Sequence, residues 1–264
     1  MKIALTIAGS DSGGGAGIQA DLKTFQQFGV FGTSVIVALT AQNTRGVHAV
    51  HLAPDSFVRD QLAALTDDLP PAALKTGMLA TASLVHLVAD WIAGHQWREY
   101  VCDPVMVATS GDRLLSTDAE RVLRERLLPQ AALVTPNLEE AALLTGRAVN
   151  DPASMEAAGR DLLDLGARAA LVKGGHLAGG SEVVDVLVTP ASARYYHRPR
   201  IQTRSTHGTG CTLSAAVTAG LAQGAGLEAA VTAALDFVHR AIAAAPGLGG
   251  GHGPLNHTVS AIPT

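Results

Sequence analysis

The sequence predicts an α/β protein with a mainly parallel β-sheet and helices on both of its faces. Apolar runs of strand length alternate with helical patterns along nearly all of the 264 residues, and repeated βα alternation is typical of parallel sheets. Hydrophobic residues make up 47% of the chain and aromatic residues only 4%, so the core must be aliphatic and rich in alanine. We expect one domain over residues 1–264, a routine length for a single α/β domain.

Short apolar runs bounded by turn residues predict the strands. They cover residues 3–8, 34–39, 47–52, 73–77, 100–103, 133–135, 169–173, 183–188 and 193–196. Residues 47–52 alternate His and Val and are expected at an edge of the sheet, and the last two strands are expected to form a hairpin.

Helical periodicity and capping residues predict the helices. They cover residues 18–28, 54–65, 83–92, 117–128, 138–144, 154–165, 209–222 and 227–244. Ser116 is a plausible N-cap for the fourth of them. A glycine-rich loop, residues 10–17, precedes the first helix, and we expect the five glycines of residues 247–253 to make that tail mobile unless it covers a ligand.

Charge and composition exclude several classes of protein. A net charge of −4 argues against a nucleic-acid binder, which usually shows a basic face. No apolar run approaches the ~18–20 residues of a membrane span, and the first apolar run is too short for a secretory signal, so we expect a soluble cytoplasmic protein. Cys102 and Cys211 form no CxxC pair, which disfavours a zinc or redox motif, and a single disulfide between them is poorly motivated.

The most informative segment runs from Thr206 to Thr212 and precedes an alanine-rich helix. Gly208, Thr209 and Gly210 would expose free N–H groups beside the positive end of the helix dipole, where phosphate binds well. The thiol of Cys211 would lie in the first turn, where the same dipole is expected to lower its pKa. The segment therefore predicts an anion hole with an adjacent base or nucleophile.

Polar residues follow the ends of most predicted strands, where parallel sheets bind their ligands. These strand ends carry Gly9 to Asp11, Gln42 and Asn43, Gly77 and Met78, Asp103 to Val105, Pro136 and Asn137, and Lys173 to His176. The run from Gly9 to Gly17 lacks both the later acidic residue of a dinucleotide fingerprint and the Gly-Lys-Ser/Thr of a P-loop. It either lets the backbone approach a small substrate or forms a plain tight turn.

Each remaining candidate has two interpretations. Asn137 and Glu140 could hold Mg²⁺ or form a capping box, and Asp103 favours the metal because a second carboxylate would face the same crevice. Lys173 could neutralise a phosphate or be a surface lysine at a turn. The Gln42 amide suits an amino-substituted heteroaromatic ring or is an ordinary loop residue. Four histidines without metal-type spacing are not assigned as ligands: His176, His207, His252 and His257.

Together these motifs resemble those of the hydroxymethylpyrimidine/phosphomethylpyrimidine kinases of thiamine biosynthesis, a vitamin-kinase branch of the ribokinase-like superfamily. The matching segments are residues 5–24, 41–44, 75–79, 103–106, 135–141, 173–176 and 207–212. The resemblance covers almost the whole chain and implies a three-layer α/β/α sandwich and a homodimer. Within 264 residues we do not expect the thiamine-phosphate synthase domain that is fused to some relatives.

The resemblance also implies an activity: two successive ATP-dependent phosphorylations of 4-amino-5-hydroxymethyl-2-methylpyrimidine. Cys211 would then be the base, with Gly208, Thr209 and Gly210 as the anion hole. The substrate pocket would be lined by Gln42, Gly9, Asp21, Met78 and Val105. The nucleotide would face Lys173, Thr206 and Gly175, while Asp103, Asn137 and Glu140 would organise Mg²⁺.

Two alternatives stay open. A pyridoxal or pyridoxine kinase has the same fold and a similar ring with a hydroxymethyl arm. A non-catalytic pyrimidine-binding protein is disfavoured, because it would be expected to lack Cys211 or the Asn137 and Glu140 positions.

Overall fold

Nine strands form one continuous β-sheet in the computed structural model, which describes residues 1–106, 115–177 and 180–261. The strands are β1 (Ile3–Gly9), β2 (Phe31–Asn43), β3 (Gly46–Leu52), β4 (Ala73–Thr76), β5 (Tyr100–Cys102), β6 (Leu133–Val134), β7 (Ala170–Val172), β8 (Glu182–Val188) and β9 (Ala193–Pro199). The helices are α1 (Gly17–Gln27), α2 (Asp55–Asp68), α3 (Ala82–His95), α4 (Thr117–Val122), α5 (Leu138–Thr145), α6 (Pro152–Asp164), α7 (Thr209–Ala222) and α8 (Leu227–Ala243).

The strand order is β3-β2-β1-β4-β5-β6-β7-β8-β9. The six central strands, β2, β1, β4, β5, β6 and β7, are mutually parallel. At the edges, β3 pairs antiparallel with β2, β8 with β7, and β9 with β8. The mainly parallel sheet, the edge strand and the terminal hairpin predicted from the sequence are therefore confirmed.

Helices cover both faces of the sheet, which gives the three-layer sandwich. Successive residues of a strand point to opposite faces: Leu5 and Ile7 join one buried cluster, while Ala4 joins the other. The Ala4 cluster includes side chains of α1, α7 and α8, and the Leu5 cluster includes those of α2, α3 and α4. None of the helices in the described ranges has both the length and the apolar character needed to cross a bilayer.

The predicted helix over residues 117–128 is shorter than expected. Ser116 caps it as predicted, accepting from the Ala119 N–H at 3.3 Å, but regular α-helix ends at Val122. The chain continues as a π-helical segment, Leu123–Leu127, and a 3₁₀ turn, Leu128–Gln130. Pro129 has no N–H to donate, so it prevents a further α-helical turn.

The glycine-rich tail is attached to the turn between β2 and β3. The His252 N–H donates to the Thr44 carbonyl at 2.8 Å. A Cβ at Gly251 would lie 2.0 Å from that same carbonyl oxygen, so only glycine allows this approach. Of the tail glycines, Gly249, Gly250, Gly251 and Gly253 thus make close contacts, whereas a Cβ on Gly247 would meet no atom within 4 Å.

Candidate active site

A cavity of about 440 Å³ opens where the carboxyl ends of the parallel strands meet the start of α7. Among the residues that line it are nearly all of those predicted from the sequence: Gly9, Gln42, Met78, Asp103, Val105, Asn137, Glu140, Lys173, Gly175, Thr206, Gly208, Thr209, Gly210 and Cys211. These strand ends therefore converge on one space, which is large enough for a small organic ligand.

Asp21 is the exception, and its predicted place in the substrate pocket is wrong. Its Oδ1 accepts from Lys75 Nζ at 2.8 Å and its Oδ2 from Thr6 Oγ1 at 2.6 Å, with no exposed side-chain surface. Burial raises the pKa of Asp21, while Lys75 and Thr6 oppose that rise. The cavity is instead lined by Lys75, whose ammonium group Asp21 holds from behind.

The first turn of α7 lines the cavity, but the Thr209 N–H, which the sequence predicts to be free, donates to the Thr206 carbonyl at 3.3 Å. Gly208 precedes the helix with a φ of +82°, and a Cβ there would lie 1.8 Å from the Gly15 carbonyl oxygen. A Cβ on Gly210 would lie 3.1 Å from Lys173 Nζ. Glycine at both positions keeps the positive end of the helix and the Lys173 ammonium close together, and both attract phosphate oxygens.

The thiol of Cys211 is less acidic than the sequence predicts. Burial raises the pKa of Cys211 to about 11, and Asp21 and Asp103 add to the rise while Lys75 opposes it. At pH 7 the thiol form therefore predominates over the thiolate in the free protein. The position of the thiol at the helix start was predicted correctly, but its lowered pKa was not, because desolvation outweighs the favourable charges.

Asp103 and Glu140 both lie close to the Lys173 ammonium group. Lys173 Nζ is 3.2 Å from Asp103 Oδ1 and 4.0 Å from Glu140 Oε2. The other Asp103 oxygen accepts from Ser214 Oγ at 3.0 Å. Burial favours protonation of Asp103, but Lys173 and Lys75 hold its pKa below the usual range. Burial and the Asp103 charge raise the pKa of Glu140.

Asn137 and Glu140 form the capping box that the sequence left as an alternative. Asn137 Oδ1 accepts from the Glu140 N–H at 2.9 Å, and Glu140 Oε2 accepts from the Asn137 N–H at 2.8 Å. The described residues contain no group of three or more His, Cys, Asp or Glu side chains arranged to hold a metal. Two carboxylates facing one cavity still suit Mg²⁺, which usually takes one or two carboxylates together with substrate phosphates and water.

The loop after β1 is organised by Asp11. Its Oδ1 accepts from the Gly13 N–H at 2.8 Å, and its Oδ2 accepts from the N–H groups of Gly15 at 3.0 Å and Ala16 at 2.8 Å. His207 Nε2 lies 2.8 Å from the same Oδ2. The glycine-rich run is therefore both a tight turn and part of the cavity wall.

The residues predicted to line the substrate end are packed tightly. A Cβ on Gly9 would lie 2.7 Å from Met78 Cε, so glycine makes room for the methionine. Val105 has a φ of +26°, which is strained for a β-branched residue and is typical of functional sites.

At the opposite end, the Gly174 N–H donates to the buried Asp185 Oδ1 at 2.9 Å. A Cβ on Gly174 would lie 1.8 Å from the Val184 carbonyl oxygen. Asp185 and Gly174 thereby shape the turn that presents Gly175 to the cavity.

Sequence reasoning assigned no role to several polar residues that line this site, among them Lys75, Asp185 and His207, and it placed Asp11 at a strand end without giving it a role. Lys75 carried a signal, because a lysine stands inside a short strand whose every residue is buried. His207 directly precedes the glycine turn of α7. Its contact with Asp11 joins residues 196 positions apart, which no local pattern reveals.

The fold and the site define a ribokinase-like vitamin kinase: a three-layer sandwich in which a helix start, a lysine and two carboxylates surround one cavity at the strand ends. Residues 11–256 match the family model of phosphomethylpyrimidine kinase. The chain belongs to this family.

Similar proteins support the assignment. The chain is 53% identical over 258 residues to the hydroxymethylpyrimidine/phosphomethylpyrimidine kinase of Rhizobium meliloti, covering 97% of this chain and 96% of that protein. It is 50% identical over 257 residues to the thiamine biosynthesis bifunctional protein ThiED of Geobacter sulfurreducens, covering 97% of this chain but only 52% of that longer protein. Among solved structures, an ADP complex of Bacillus subtilis pyridoxal kinase has a TM-score of 0.91 and 40% identity, with 98% of both chains covered.

Proposed function

We propose that the protein transfers the γ-phosphoryl group of ATP to 4-amino-5-hydroxymethyl-2-methylpyrimidine, and a second one to the resulting monophosphate, in thiamine biosynthesis. One observation carries this proposal. A single cavity holds the Gln42 amide, the Cys211 thiol, and the Lys173 ammonium beside the start of α7. The amide suits a heterocyclic ring, the thiol suits the hydroxymethyl arm of that ring, and the ammonium suits the phosphate chain of a nucleotide.

The chemistry asks for positioning and charge stabilisation along an in-line path. The hydroxymethyl oxygen loses its proton and bonds to the γ-phosphorus, while the bond from that phosphorus to the ADP oxygen breaks. N–H groups of the first α7 turn and the Lys173 ammonium stabilise the charge on the transferring group. In the first transfer the proton would go to the thiolate form of Cys211, which is the minor form in the free protein. In the second transfer the acceptor phosphate is already anionic, so a base matters less.

Mg²⁺ is part of the proposal. Asp103 and Glu140 would hold it, because both carboxylates line the cavity beside Lys173. When bound, the ion would neutralise negative charge on the phosphate oxygens. Lys173, whose Nζ lies 3.2 Å from Asp103 Oδ1, would orient that carboxylate.

The decisive experiment measures ADP release with ATP and each of three acceptors: the pyrimidine alcohol, its monophosphate and pyridoxal. We expect turnover of both pyrimidines. Lys173→Met removes one cation from the nucleotide end of the cavity. This variant should have a higher KM for ATP than the wild-type protein, with which it is compared. Absence of turnover with the pyrimidine alcohol would overturn the proposal.

Pyridoxal phosphorylation is the second candidate. The similarity to the Bacillus subtilis pyridoxal kinase favours it, and pyridoxal also carries a hydroxymethyl arm on a nitrogen heterocycle. The substrate with the higher kcat/KM decides between the two activities. A non-catalytic binding protein is disfavoured, because Cys211, Asn137 and Glu140 all line the cavity.

We further propose a homodimer. Exposed apolar side chains on β2 and β3 support it: Leu39 is 52% exposed, Val50 48% and Leu52 40%. Light scattering should give twice the chain mass, and Val50→Glu should shift the protein toward the monomer. A cytoplasmic location stays a prediction from the sequence, and so does the single domain over residues 1–264, which the continuous sheet supports.

A further inference from the structure

Asp11 and His207 form a pair, with Asp11 buried and His207 largely so, at the ring end of the cavity. His207 Nε2 lies 2.8 Å from Asp11 Oδ2, with the His207 side chain 13% exposed and the Asp11 side chain 3%. Both residues line the cavity together with Gln42, whose Nε2 lies 3.5 Å from the same His207 nitrogen. Neither residue of the pair has a role in the mechanism above.

The hydrogen bonds of Asp11 determine where the His207 proton lies. Its other three contacts are backbone N–H groups, from Gly13, Gly15 and Ala16. A carboxyl group that accepts from every neighbour is ionised and has no proton to give. Burial would raise the pKa of Asp11, but the hydrogen bonds from His207 and the backbone lower it. His207 Nε2 must therefore carry the proton and donate it to Asp11.

This donor role affects Gln42. A ring nitrogen that carries a proton cannot accept one, so the Gln42 amino group finds no acceptor on His207. The main chain of Gln42 is also fixed, because its N–H donates to Ser12 Oγ and its carbonyl accepts from that hydroxyl, both at 2.8 Å. The main chain of Gln42 is thus held in place, and the N–H groups of its side-chain amide remain available to a ligand in the cavity.

The same pair joins the ring end to the anion hole. A Cβ on Gly15 would lie 2.7 Å from His207 Cδ2, so the Asp11 loop packs directly on the imidazole. His207 is followed at once by Gly208, which contacts the Gly15 carbonyl. The backbone N–H of His207 donates to the Gly253 carbonyl at 3.1 Å.

We propose that Asp11 and His207 are positioning residues for substrate recognition: Asp11 fixes His207 as a donor, and His207 thereby leaves the Gln42 N–H free for an acceptor nitrogen of the substrate ring. This inference rests on the proposed function in assuming a nitrogen heterocycle. Asp11, His207 and Gln42 would then act as a unit that recognises the acceptor nitrogen of the ring.

The test is a double-mutant cycle with a spectroscopic measurement beside it. His207→Phe keeps the ring that packs on Gly15 and removes both nitrogens. We expect it to raise the KM for the pyrimidine alcohol about tenfold, the value of one hydrogen bond, with kcat and the KM for ATP within about twofold. In a Gln42→Ala background the same change should raise that KM less than about twofold, because coupled residues are not additive.

His252→Leu is the matched control, since His252 also lines the cavity. Its effect on KM should be the same with and without Gln42→Ala. Equal tenfold effects of His207→Phe in both backgrounds would overturn the proposal, because they would show that His207 does not act through Gln42.

Nitrogen-15 NMR of the ligand-free protein tests the proton assignment without any substrate, with His207→Phe identifying the resonances. A proton on Nε2 of His207 is expected, and a ring protonated only on Nδ1 would overturn the proposal even if no variant could be assayed. If the wild-type protein phosphorylates pyridoxal but not the pyrimidine, the proposed function fails. The cycle is then measured with pyridoxal and judged by the same criteria.

Discussion

Lys75 Nζ lies 2.8 Å from Asp21 Oδ1, and neither side chain has any exposed surface. A buried ion pair gains little net stability, because both charges lose their hydration. This pair instead holds a cation at the wall of the cavity, where Lys75 is among the charges that act on Cys211 and Asp103. The pair therefore belongs to the electrostatics of the site, although Asp21 itself does not reach the cavity.

Asp21→Asn should destabilise the fold strongly. It leaves the Lys75 ammonium buried without a counter-charge, which typically costs ~3–5 kcal/mol in the free energy of unfolding. Urea denaturation measures the loss. Asp161→Asn is the control, since it breaks the exposed pair with Arg147 and should leave the free energy of unfolding unchanged. Similar losses for both variants would contradict the prediction.

Alkylation of Cys211 should follow the raised pKa of its thiol. Because burial raises that pKa to about 11, the rate with iodoacetamide should increase about tenfold per pH unit from pH 7 to 9, since the thiolate is the nucleophile. Cys102→Ala isolates the reaction, although Cys102 is fully buried and its pKa is raised to about 12. A rate that levels off below pH 8 would show instead that α7 stabilises the thiolate.

Cys211→Ala should impair the first phosphorylation more than the second. General-base catalysis contributes typically ~10²–10⁴-fold, and only the alcohol acceptor must lose a proton. Separate assays with the pyrimidine alcohol and its monophosphate measure the two steps. Equal losses in both would leave Cys211 a packing role only.

Gly208→Ala should abolish activity and destabilise the loop around α7. Its backbone is left-handed, and the added Cβ would lie 1.8 Å from the Gly15 carbonyl oxygen. Gly224→Ala is the matched control, because Gly224 has a similar φ of +87° and no atom within 4 Å of an added Cβ. The control should cost only the strain of the left-handed backbone, about 1–2 kcal/mol. Thermal unfolding and ADP release compare the two variants, and an equally active Gly208→Ala would refute the prediction.

His257 should make the fold less stable as the pH falls from 6.5 to 4. The Thr212 hydroxyl donates to the Gly208 carbonyl, so it accepts from His257 Nε2 at 2.9 Å. Burial lowers the pKa of this histidine from 6.5 to about 4. Between pH 6.5 and 4 the His257 side chain is protonated in the unfolded chain but neutral in the folded protein. The free energy of unfolding therefore decreases with falling pH by up to about 3 kcal/mol.

Urea unfolding between pH 7 and 4 measures this effect. His257→Gln, which can still donate to Thr212, should remove the His257 share of the slope. An unchanged slope in the variant would assign the pH dependence to other groups.

Most of the fold could be predicted from the sequence because its signals are local. Apolar runs and capping residues such as Ser116 predicted the strands and helices. Departures occurred in the backbone: α4 changed to a π-helical segment after Val122, Pro129 prevented a further α-helical turn beyond it, and Gly251 served a close contact with Thr44.

The sequence by itself determined the parallel sheet and the polar residues at its strand ends, since strand ends converge in any sheet of this kind. Only the tertiary structure decided which partners those residues have. It paired Asp21 with Lys75, 54 positions away, and His207 with Asp11, 196 positions away. It also decided the raised pKa of Cys211, because desolvation depends on the whole surrounding packing and not on the neighbouring residues in the chain.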